Sequence, residues 1–119
     1  MNRLIEDLDQ ACPGFVPGEY DEWPYMWMGS FVRHVIRMHV LGEHLRVIAA
    51  FEVIEKEIAC NGPNRELAIV GFLEDMQNGN LHESGSKPAD LRVYLGPRSL
   101  ERWDGLNGFW QAVENKPKP

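Results

Sequence analysis

His34, His39 and His44 stand five residues apart, and imidazole is the side chain that most often holds a transition metal or moves a proton near neutral pH. On one straight helix, however, a five-residue step turns successive side chains by about 140°, whereas a shared ion needs i, i+3 or i, i+4 spacing. No metal site and no cofactor are therefore expected. Gly42 is the one qualification: a helix break there would bring His39 and His44 together, and otherwise His39 with Glu43 makes a local hydrogen bond. His34 with Arg33 and Arg37, joined by Glu74 or Asp75 from a neighbouring helix, is the remaining constellation capable of acid–base chemistry or anion binding. Cys12 and Cys60 form neither a disulfide framework nor a paired-thiol motif, and Cys60 reads as a small buried side chain. With no catalytic motif or phosphate loop in view, a non-enzymatic role is the expectation.

The charge pattern points towards a protein partner. A net charge of −6 disfavours direct nucleic-acid binding, which rests on clustered Lys and Arg. Acid is concentrated in residues 1–22, through Glu6, Asp7, Asp9, Glu19, Asp21 and Glu22 against Arg3, and again in residues 52–75. Such zones steer a cationic partner and raise its association rate. The residues expected to make contact are Asp21, Glu22 and Trp23 in the first zone and Glu52, Glu55 and Glu57 in the second. A solvated surface that keeps a small protein soluble is the plainer reading of either zone. Exposed aromatics would also suit a homodimer.

Helices must position these groups, because no segment alternates with a period of two. Val47, Ala50, Phe51, Ile54 and Ile58 share one helix face, and Leu45, Ile48, Ala49 and Ala59 form a second apolar strip for another neighbour. Asn61-Gly62-Pro63 ends that helix and opens the next, where Ile69, Phe72, Leu73 and Met76 make one face and Leu67, Val70 and Gly71 another. Gly71 marks a close approach between helices.

Upstream, Leu4, Ile5, Leu8 and Ala11 predict a helix from Asn2 to Ala11, ended by Pro13. The Pro- and Gly-rich stretch from Cys12 to Pro24 is a loop whose Phe15, Val16, Tyr20 and Trp23 pin it to the core or present an aromatic patch to a partner. A helix from Trp23-Pro24 buries Met28, Phe31, Val32, Val35, Met38 and His39. Downstream, a loop from Leu81 to Lys87 leads to a short helix Ala89–Tyr94 opened by Pro88, and Gly96-Pro97 starts a last helix held by Leu100, Trp103, Leu106, Phe109, Trp110 and Val113. The expected architecture is all-α: five or six helices in antiparallel pairs, a short HEAT-like helical-repeat stack. Residues 1–24 supply the first helix and loop, 25–113 the helical core and 114–119 a flexible tail, in one domain. No apolar run approaches the ~18 residues of a membrane span, and the N-terminus turns acidic before a signal-peptide core, so a cytoplasmic protein is expected.

The segments Gly71-Phe72-Leu73-Glu74-Asp75-Met76-Gln77-Asn78 and Leu95-Gly96-Pro97-Arg98-Ser99-Leu100-Glu101-Arg102-Trp103-Asp104-Gly105-Leu106-Asn107-Gly108-Phe109-Trp110 resemble an uncharacterised family of small bacterial all-helical proteins. That family looks like the helical-repeat immunity proteins of bacterial toxin systems. The resemblance implies an all-helical fold and binding of a cognate basic toxin, often a nuclease domain. It carries over no functional residues.

Overall fold

A computed structural model describes the chain except Met1, Tyr20, Glu83, Ser84 and residues 115–119; side chains are described as far as Leu106, Asn80 excepted. The expectations placed on Tyr20, on the side chains of Phe109, Trp110 and Val113, and on the tail from Lys116 onward lie outside the described residues.

The fold is all-α, and no strand occurs among the described residues. Helix α1 spans Arg3–Ala11, α2 Pro24–Val40 and α3 His44–Ala59. A π-helix, Leu67–Glu74, follows, then two 3₁₀ segments, Gly79–Leu81 and Pro88–Tyr94, and finally α4, Pro97–Glu114. Local chemistry sets several of these starts. The Asn2 side chain accepts the Ile5 N–H and caps α1. Pro24 and Pro88 occupy first-turn positions, where a missing N–H costs nothing. Asp90 returns a carboxylate to the Lys87 N–H at 2.9 Å.

Helix α3 is the hub, packing against α1, α2, the π-helix, α4 and the second 3₁₀ segment. Its predicted face, Val47, Ala50, Phe51, Ile54 and Ile58, is buried throughout. The second strip is not: Leu45 is 83% exposed and Ile48 40%, with Ala59 also exposed, so this side of α3 meets solvent rather than another helix. Cys60 is likewise exposed, while loop Cys12 is buried. Helix α2 buries Trp27 and Ile36 in addition to the predicted Met28, Phe31, Val32 and Val35; Met38 and His39 are half-buried at its end.

The helix after Pro63 departs furthest from expectation. Between short α-helical turns at residues 65–66 and 75–76, it is wound as a π-helix, in which bonds run from i to i+5. The wider turn carries Leu67, Ala68, Gly71, Phe72 and Leu73 all to the inner side and leaves Val70 40% exposed. Gly71 is the close approach anticipated: a Cβ there would lie 2.9 Å from Leu67 Cδ1 and 3.1 Å from Met28 Cγ.

Candidate functional site

Helix α1 and the start of α2 enclose a groove of about 640 Å³, with the loop between them as its third wall. The residue pattern of α1 makes the first wall. Leu4 and Leu8 are buried on one face, which turns Glu6 and Asp9, three positions apart, outward with half-buried Ile5 beside them. The loop contributes Asp21 and Glu22. Asp21 is fixed twice: one carboxylate oxygen accepts the Gly18 N–H at 2.8 Å and the other the Ser30 hydroxyl at 2.9 Å. The loop is thereby tied to α2.

The groove therefore carries four carboxylates, Glu6, Asp9, Asp21 and Glu22, and no Lys or Arg among its lining residues. Its apolar lining is Ile5, Pro17, Pro24 and Trp27. Trp27 is held rigidly, stacked on Phe31 with ring centroids 4.7 Å apart and edge-on to Phe15 at 5.3 Å. Trp27 is only 6% exposed, so the carboxylate rim, rather than the ring, is what attracts a cationic side chain to the groove. Outside the lining, Trp23 is 67% exposed and Tyr25 and Met26 each 47%, extending apolar surface along the first turn of α2.

Of the six residues singled out from the sequence, the structure brings Asp21 and Glu22 into this groove and leaves Trp23 exposed next to them in the chain. Glu52 is exposed on α3 and does not line it. Glu55 and Glu57 are engaged within the fold. Glu55 accepts the N–H groups of Arg98 at 3.2 Å and Ser99 at 2.8 Å, capping α4, and Glu57 accepts the Asn64 N–H at 2.8 Å ahead of the π-helical segment. Glu6 and Asp9 join the groove without having been expected as contacts; their i, i+3 spacing opposite Leu4 and Leu8 is the signal for it in the sequence.

His34 has a structural role. Its Nε2–H donates to the carbonyl oxygens of Cys12 and Pro13 at 3.1 and 3.2 Å, and its ring leans on Phe15 and Phe31, so it clamps the loop to α2. A cavity of about 270 Å³ does lie beside it, lined by Ser30, Arg33 and Arg37 among others, but neither Glu74 nor Asp75 reaches that lining. The Cys12–Pro24 loop thus divides: Cys12 and Phe15 pin it to the core, whereas Val16 and Trp23 face outward. His39 and His44, separated by a break at Gly42 with φ +81°, converge on the hydroxyl of Tyr94, each Nδ1 at 2.7 Å.

Among the described residues no three His, Cys, Asp or Glu side chains gather as metal ligands, and no helix is long and apolar enough to cross a membrane. A family model described as a domain of unknown function (DUF7674) matches residues 5–111. No curated protein and no solved structure matches the chain.

Proposed function

This chain belongs to the DUF7674 family, and from that premise we propose that it is a non-catalytic protein-binding module whose acidic groove receives a basic segment of a partner protein. The observation that carries this reading is the composition of the groove: four carboxylates around an indole, with no cation of the chain's own among its lining residues. A lysine or arginine side chain entering it meets opposite charge at the rim, and its aliphatic stem covers Ile5 and the prolines. The most concrete biological form is an immunity protein that neutralises a cognate basic toxin domain. Acidic clustering and the absence of a catalytic motif in the chain support that form.

Affinity capture from the source cells, with wild-type and Glu6→Lys/Asp9→Lys/Glu22→Lys baits in parallel, tests the reading. These three residues are surface carboxylates, so their reversal leaves the core intact. A basic protein recovered stoichiometrically on the wild-type bait and lost from the reversed bait is the expected result. Recovery of the protein alone, as a monomer or as a homodimer built on Trp23 and Tyr25, would overturn it; so would a partner held equally by both baits.

A further inference from the structure

We propose that His39, Tyr94 and His44 form a binding site for a divalent late transition-metal ion, Cu²⁺ being the strongest binder of that class. The three side chains come from three elements: the last turn of α2, the first residue of α3 and the end of the second 3₁₀ segment. The left-handed Gly42 between the helices turns the divergence of a five-residue step into convergence. Both imidazole Nδ1 atoms lie 2.7 Å from the Tyr94 oxygen. Donors at ~2.0–2.1 Å from one ion stand ~3 Å apart, so each imidazole–phenol pair needs to open by only a few tenths of an ångström to admit an ion between its donors.

Proton counting favours the exchange. The Tyr94 hydroxyl donates to only one Nδ1, so the other ring must carry its proton on Nδ1 and donate it back. On metal binding that ring proton moves through water to Nε2 of the same ring, and the Tyr94 O–H proton goes to solvent. Two N–metal bonds and one O–metal bond form, one proton is released and no electron is transferred. Imidazole and phenolate donors suit Cu²⁺, which heads the divalent affinity order.

The surroundings fit this chemistry. Tyr94 is held by Phe51, ring centroids 5.4 Å apart and 29° from parallel, while exposed His44 leaves the site open to solvent.

Titration of the untagged protein with Cu²⁺, followed by calorimetry and visible absorption, tests the assignment. One equivalent binds, a phenolate-to-copper charge-transfer band appears, and affinity rises about tenfold per pH unit above neutrality, as release of one proton requires. His39→Gln and His44→Gln each weaken binding at least tenfold, and Tyr94→Phe abolishes the band and flattens the pH dependence, whereas His82→Gln changes neither. Paramagnetic broadening of the wild-type NMR spectrum centred on residues 39, 44 and 94 gives the same answer without any variant. Wild-type affinity in either His→Gln variant, broadening centred on His34 or His82, or a wild-type complex without the band would overturn the proposal.

Discussion

At the scale of single residues, burial sorts side chains that look alike in the sequence. Cys12 lies in a loop yet is fully buried, and desolvation pushes its thiol up to about 11 against the pull of Arg46, whereas Cys60 at the end of α3 is exposed. Thiolate is the reactive form, so one equivalent of a maleimide should label Cys60 promptly in the native protein and Cys12 should react only on unfolding; mass spectrometry of the labelled peptides decides it. Asp75 makes a second case. Burial, and secondarily the charge of Glu74, raises its pKa above 3.8. In the window just above 3.8 the folded state holds more protons than the unfolded one, so this group's contribution to stability falls as pH rises through it. Ionised Asp75 therefore opposes the fold at neutral pH. Asp75→Asn should raise Tm by a few degrees there, with the gain vanishing as pH drops below the ordinary carboxylate range, as thermal melts across pH would show. Neither exposure nor desolvation is written in spacing alone, which is why Cys60 reads as buried from the sequence and proves open. The histidines teach the same lesson: their five-residue step argues against convergence until Gly42 ends the helix.

At the scale of elements, α3 uses two glutamates to start the helices that follow it. Glu55 caps α4 and Glu57 binds the turn ahead of the π-helix, and in each case a glycine makes the room: a Cβ on Gly96 would stand 2.6 Å from Glu55, and one on Gly62 2.5 Å from Glu57. Glu55→Ala should cost about 1–2 kcal/mol, the value of a charged cap. Gly96→Ala should cost a similar amount by displacing the same carboxylate, and the double variant should cost little more than either single one, a non-additivity that denaturant titration measures. Gly71→Ala should destabilise by about 1–2 kcal/mol, the overlap with Met28 and Leu67 outweighing the better helix propensity of alanine. The existence and approximate bounds of α1, α2, α3 and α4 were legible because apolar spacing, proline and glycine all agreed there. The π-helix was not. Its sequence, Leu67–Glu74, is apolar at six of eight positions before glycine is counted, so periodicity could not separate one helical pitch from another and packing decided it.

At the scale of the molecule, charge is distributed by tertiary docking rather than by runs in the chain. The acidic character of residues 1–22 was legible in the sequence, but the groove exists only because Asp21 folds the loop back onto α2 and α1 packs against α3. The second acidic zone, by contrast, spends Glu55 and Glu57 on helix starts. Arg65, Arg98 and Arg102 line a separate cleft with the last residues of α3 and with Glu101, which pairs with Arg98 at 3.8 Å; the excess positive charge there answers the negative end of α3. The α1–α2 groove, by contrast, has carboxylates and no Lys or Arg in its lining, which suits electrostatic steering of a basic partner into it. The most direct measurement is the association rate between this protein and its captured partner as a function of salt, for wild type and for Glu6→Gln/Asp9→Asn/Glu22→Gln. Wild-type association should slow steeply with ionic strength, and the variant should associate about tenfold more slowly at low salt with a flattened dependence. Identical rates and identical salt dependence in the two proteins would contradict the groove as the binding surface.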